Sequence, residues 1–162
     1  MIVVSNTSPL TNLAAIGQFD LLHRLYAELH IADSVWEELN AGDQPWPGHN
    51  EVAAADWIHR HTIQQQALIT TLRRDLDRGE AESIALALEL GADLVLLDEK
   101  EGRHAAQRLG LRVVGIVGVL LDAKAHGMIN GVKSHLDALR HTVGFYLSES
   151  LYQATLKRAG EG

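Results

Sequence analysis

A chain of 162 residues with 46% hydrophobic residues and three Trp suits one compact domain, and no uncharged apolar run of about 18 residues or basic-then-apolar leader occurs, so neither a membrane span nor a signal peptide is predicted and a cytoplasmic protein is expected. Zero Cys excludes disulfides and thiolate metal sites and leaves oxygen and imidazole as protein ligands, so any metal is expected to be a hard one. Lys plus Arg number 14 against 21 Asp plus Glu, and the net charge of −7 excludes nucleic-acid binding through the overall field; such a role needs a local basic patch or a bound cation.

The first apolar run, "IVVS", reads as a buried strand that stops on Asn6, Thr7, Ser8 and Pro9. Ser8 suits an N-cap and Pro9 a first helical position, so "PLTNLAAIG" is predicted as a helix, followed by "QFDLLHRLYAEL". "LHIA" reads as the second strand, and "SVWEELNAG" as a helix for which Asp33 or Ser34 is the candidate N-cap. "QPWPGHNEVAAADW" is the one Pro-rich stretch, predicted as a surface loop with a short helix, and "DWIHRHTI" as the third strand. "GEAESIALALELG" is a helix, "DLVLLD" a strand, "EGRHAAQRLG" a helix, "LRVVGIVG" a strand and "GVLLDAKAHG" a helix, most of these helices ending at Gly. The alternation predicts an α/β fold with a mostly parallel sheet covered on both faces. From Ile129 onward two amphipathic helices joined near Gly144 are expected, giving an α/β domain over 1–128 and a helical tail over 129–162 that packs on the domain or on a partner.

Ligands of parallel α/β sheets gather at the carboxyl ends of strands, which directs attention to polar residues that end apolar runs. Asn6 ends the first strand and Asp98 ends "DLVLLD"; Glu38 lies about one turn into its helix and Glu80 in the first turn of the next long one. Carboxylates within ~4 to 6 Å of each other raise at least one pKa unless a cation is present, and Mg²⁺ or Mn²⁺ takes such ligands. Simpler readings stand beside this one. Glu37 and Glu38 fit a solvated helix face, Glu80 and Glu82 fit the positive end of their helix, and Asp98 could cap the helix that follows. His59 and His61 point the same way on a strand, but no third ligand is apparent.

The segments "VVSNTSPL", "VWEEL" and "GEAESIALALELGADLVLLDEKEGR", in this order, resemble the PIN-domain superfamily, in particular a poorly characterised branch similar to toxin-type (VapC-like) proteins; the match runs from about Ile2 to Gly118. The resemblance implies a three-layer α/β/α fold and Mg²⁺- or Mn²⁺-dependent RNA phosphodiester hydrolysis, leaving 5′-phosphate and 3′-hydroxyl ends. Its acidic quartet carries over to Asn6, in place of the usual Asp, with Glu38, Glu80 and Asp98. Glu99 is an additional candidate metal ligand, and Ser8 and Arg103 are candidate substrate contacts. The amide of Asn6 can bind a cation but brings no charge, which favours one metal over two. The resemblance also implies a small antitoxin partner and allows a homodimer. The alternatives are a catalytically silent nucleic-acid- or protein-binding module on the same fold, and a phosphatase-like or receiver-like enzyme, for which no acceptor motif is clear.

Overall fold

The computed structural model describes residues Met1–Gly162. Five strands form one sheet: β1 (Val3–Ser5), β2 (Leu29–Ala32), β3 (Ile58–His61), β4 (Leu94–Leu96) and β5 (Val113–Val114). Every pairing is parallel and the order is β3-β2-β1-β4-β5. The all-parallel arrangement is stricter than the mostly parallel one expected, and it follows from the helical crossover that intervenes between each pair of successive strands.

The two-residue period of a strand divides the core in two. Val3, Leu29, Ile31, Leu94 and Leu96 face one side, where they meet α1 (Thr7–Ala15), α2 (Asp20–Tyr26), α3 (Asp33–Leu39) and α4 (His49–Ala54) with later helices. Val4, Ala32 and Val95 face the other side, against α5 (Gln66–Leu72), α6 (Arg78–Leu90) and α7 (Lys100–Arg108). Helices on both faces of the sheet make the three layers. Helix α5 escaped the sequence reading because "QQQALITTLRR" presents too few apolar residues to show a stripe; Ile69 is its one buried residue.

Helix α8 (Ile116–Ala125) leads into α9 (Lys133–Ala138), a π-helical turn (Leu139–Val143) and α10 (Glu149–Arg158). These segments add Val132, Leu136, Leu139, Leu147, Tyr152 and Leu156 to the first core, each burial contributing about 1.5–3 kcal/mol for the larger side chains. Ser148 caps α10 by accepting the Leu151 N–H at 3.1 Å. The Tyr152 hydroxyl donates to Asp137 at 2.7 Å, and the Arg140 guanidinium lies 4.1 Å from the centre of the Tyr152 ring. The Glu161 carboxylate accepts from Lys124 Nζ and from the Val132 N–H, each at 2.9 Å, which fastens the end of the chain to α8 and the start of α9.

The strand order has one consequence for function. From β1 the chain builds outward through β2 and β3, then returns to place β4 on the other side of β1, so the topological switch point lies between β1 and β4. In open parallel sheets the crevice for a ligand opens there, beyond the carboxyl ends of the strands. Asn6 and Asp98 follow those two ends, and the Asn6 N–H donates to the Leu96 carbonyl at 3.0 Å.

Candidate active site

Asn6 is the N-cap of α1, with extended backbone, so Ser8 and Pro9 occupy the second and third helical positions rather than the cap and the first position expected. Proline is tolerated there because the first four N–H groups of a helix have no intrahelical acceptor. The Asn6 side chain makes no capping hydrogen bond, although it is 5% exposed and its Oδ1 is buried without a partner. A buried acceptor left unpaired costs about 1–3 kcal/mol, so such an atom at a strand end needs a physical reason.

Glu38 reaches the same point from the last turn of α3, further along the helix than expected, because the N-cap is Ala32 and neither Asp33 nor Ser34. Asp33 is taken by Arg60 at 2.5 Å and Thr62 at 2.6 Å on β3 and the residues after it. Gly79, in the first turn of α6, sits directly against the Glu38 carboxylate, and a Cβ there would stand 3.3 Å from Asn6 Oδ1. Three elements therefore meet with no room for a methyl group. Burial raises the Glu38 pKa, and the neighbouring Asp77 adds to the effect; the Thr7 hydroxyl opposes it from outside ordinary hydrogen-bond geometry.

Glu80 belongs to a capping box at the start of α6. Its N–H donates to Asp77 Oδ1 at 2.8 Å, and its own Oε1 accepts the Asp77 N–H at 3.2 Å. Asp77 was missed in the sequence, where the D-x-x-E spacing ahead of "SIALALEL" carried the signal. Glu80 Oε2 lies against Gly102 of α7, within 2.7 Å of where a Cβ would be. Burial, then Asp77 and Glu99, push its pKa up to about 7. Glu82, two residues on and on another face of the helix, is engaged elsewhere: it accepts from Arg78 at 2.8 Å and faces the Ser34 N–H.

Asp98 accepts the Ile116 N–H at 2.8 Å and so caps α8, not the helix that follows it in sequence; its other oxygen accepts weakly from Ser8 at 3.4 Å. Asn12 Nδ2 donates to Ser8 Oγ at 3.1 Å and fixes that hydroxyl. Arg103 and Asp98 both crowd Gly115, where a Cβ would stand 2.7 and 2.8 Å from Arg103 Nη1 and Asp98 Oδ1. Burial raises the Asp98 pKa and Glu99 adds to it, against the pull of the Ile116 N–H and Arg103. Of the basic run around Arg103, Lys100, His104 and Arg108 are exposed, and Arg103 alone turns into the cleft beside Asp98.

The acids form a strip, Glu38, Asp77, Glu80, Glu99, Asp98, in which each neighbour pair interacts electrostatically. No three acidic or imidazole side chains stand in a ready-made metal-binding group. The donor set nevertheless fits a hard divalent cation: it is all oxygen, it includes the orphaned Asn6 Oδ1, and the carboxyls of Glu38, Glu80 and Asp98 are held above their ordinary pKa by burial and by neighbouring acids, which a cation would relieve. At the other sheet edge, His30 supplies a third imidazole beside His59 and His61, its Nδ1 2.8 Å from His61 Nε2. The pattern "LHIA" held only one His and gave no hint of this pairing.

Glu80 yields a pH prediction. The folded chain holds its proton up to about 7 whereas the ordinary value is 4.5, so between these values the folded state binds more protons than the unfolded one. The stability it contributes is full below 4.5 and is lost as pH rises through 7. Glu80→Gln keeps the acceptor for Asp77 and removes the ionisation. In the presence of a chelator it is expected to be more stable than wild type at pH 8, by on the order of 2 kcal/mol, and close to it at about pH 4. Melting curves at both pH values check this.

The DUF3368 family model, described as a PIN domain, matches residues 2–161. No curated protein and no solved structure matches the chain. A match over nearly the whole chain, on an all-parallel three-layer fold whose carboxylates collect at the switch point, places this protein in the PIN-domain family.

Proposed function

We propose that the protein is a metal-dependent ribonuclease that works at the strip between β1 and β4. Membership of the family brings a nuclease-type fold, nucleic acid as the kind of partner, and a general use of divalent ions. In this reading Mg²⁺ or Mn²⁺ is held by Asn6, Glu38, Glu80 and Asp98, with Glu99 in reserve, and supplies Lewis acidity and an activated water. The observation that carries the reading is the buried, unpartnered Asn6 Oδ1 beside Glu38, in a strip whose Glu38, Glu80 and Asp98 carboxyls are raised above their ordinary pKa.

The chain's own residues then have distinct work. Asp98 is oriented by the Ile116 N–H and Ser8, so its second oxygen is the freer one. Ser8, itself held by Asn12, and Arg103 are placed to receive a phosphate oxygen next to Asp98. Glu80, whose carboxyl is pushed up by burial and by Asp77 and Glu99 in the metal-free chain, is a group whose ionised form a bound cation would favour. Residues 1–128 carry the site and 129–162 form the helical tail. A toxin role, with a small antitoxin partner, and a homodimer are further parts of this proposal that rest on the toxin-type resemblance of the sequence.

A second reading, a silent binding module, draws on a specific observation: Glu80 serves a capping box and Asp98 caps α8, so both acids have structural employment without any metal. Cleavage separates the readings. Mixed single-stranded RNA incubated with Mn²⁺ is expected to be cut by the wild-type protein. Asp98→Asn keeps the acceptor for Ile116 and is expected to lose activity on the order of 100-fold, at the upper end of what a disturbed metal site costs. Absence of cleavage with either ion at millimolar concentration favours the module.

A further inference from the structure

Beside the acidic strip lies a cleft of about 720 Å³, bounded by β5, by α8 and by residues 145–158. Strand β5 is the edge of the sheet and runs parallel to its neighbour, so its carboxyl end, at Gly115, opens onto Asp98 while Arg112 stands at its start. The cleft thus runs from the candidate active site down the side of the sheet. Three guanidiniums line it: Arg103 at the Asp98 end, Arg112, and Arg158 from the last turn of α10. None of them closes an ion pair, whereas Arg60, Arg78 and Arg140 all do. In a chain of net charge −7, a groove with three uncommitted arginines and one acid besides Asp98, Asp122, is the local basic patch that the overall composition lacks.

The second feature is aromatic. Tyr146 lines the cleft and is 87% exposed, the most exposed large hydrophobic side chain of the protein, and Phe145 stands next to it. Its neighbours explain why it is there: Gly144, in the left-handed conformation (φ 73°), ends the π-helical turn, and Leu147 is buried, so the backbone pivots around Tyr146 and turns its ring outward. A tyrosine ring in water beside free guanidiniums suits a ligand that has both phosphates and flat apolar faces. A duplex hides its base faces in the stack; an unpaired strand offers them.

Resting on the nuclease reading of the acidic strip, we infer that this cleft is the track along which an unpaired RNA strand enters the site, with Tyr146 stacking on a base and Arg112 and Arg158 pairing with backbone phosphates. The tail of the chain is then part of substrate recognition, and selectivity for single strands follows from the need for a free base face.

The test is fluorescence anisotropy with a labelled 12-nucleotide RNA in chelator, where no cleavage interferes, on the full chain and on the Tyr146→Ala, Tyr146→Phe and Arg158→Ala variants. The single strand is expected to bind more tightly than the same sequence in a duplex. Tyr146→Ala should weaken binding roughly tenfold, since stacking is the lost contact, and Tyr146→Phe should restore it. Arg158→Ala should weaken binding and reduce the salt slope by about one. Equal binding by wild type and Tyr146→Ala, preference for the duplex, or self-association through the cleft that Tyr146→Ala abolishes would each overturn the track. Mn²⁺-dependent cleavage with unchanged KM in Tyr146→Ala overturns the track and leaves the nuclease standing; Tyr146-dependent binding without any cleavage supports the track and removes the nuclease.

Discussion

Asn6→Asp is expected to lower the stability of the metal-free protein and to enlarge the stabilisation that Mn²⁺ gives. The new carboxylate is added 5% exposed, beside Glu38 and within the strip of acids, so without a cation it faces burial and repulsion together. Either effect alone shifts a carboxyl by one or more units, and the expected loss in the apo protein is on the order of 1–3 kcal/mol. With Mn²⁺ the sign reverses, because a charged ligand replaces a neutral one. Ribonuclease activity should rise, since a carboxylate can help hold a second ion that an amide disfavours. Were Asn6 merely a turn residue, Asp would serve almost equally well; yet the Asn6 side chain makes no capping hydrogen bond for Asp to preserve. Melting temperatures of both proteins in chelator and in Mn²⁺ measure the two shifts, and equal metal responses would take Asn6 out of the site.

Gly79→Ala should abolish the metal response with little change in the fold. The added methyl meets the Glu38 carboxylate first, and this is the far end of a flexible side chain in an intermediate environment, so Glu38 swings away rather than the backbone yielding. The expected result is near-wild-type melting in chelator, a Mn²⁺ shift reduced to a small fraction, and cleavage down by on the order of 100-fold. A protein that melts far lower in chelator would show that Gly79 serves packing and not the approach of Glu38 to Asn6.

Strands β1, β2, β4 and β5 were legible because each lies in a short, mostly apolar run, as burial inside a parallel sheet demands, whereas the edge strand β3, Ile-His-Arg-His, has no buried residue. Val3 and Val4 illustrate the buried pattern: adjacent in sequence, they lie in different cores. The helix caps were less legible. Ser8 and Ser34 are good N-cap types, yet Asn6 and Ala32 occupy those places, because each helix begins within one residue of its strand's end, ahead of the serine. Asn6 and Asp98 could be found as polar ends of apolar strands. Asp77 could have been found from its spacing to Glu80. The cleft could not, because it joins Arg112 on an edge strand to Arg158 on the last helix, and only the packing of α10 brings such distant residues together. The pairing of His30 with His61 likewise depends on β2–β3 register, in which His30 stands opposite His59.

Titration of the wild-type protein with Mn²⁺, followed by melting temperature, bears most directly on the central claim that the strip between β1 and β4 binds a divalent cation. A ligand that binds the folded state alone adds ~2.7 kcal/mol at one hundred times its dissociation constant. The predicted result is a concentration-dependent rise in melting temperature that is markedly smaller in Asp98→Asn. No rise with Mn²⁺ or Mg²⁺ up to millimolar concentration, or an equal rise in Asp98→Asn, would contradict it.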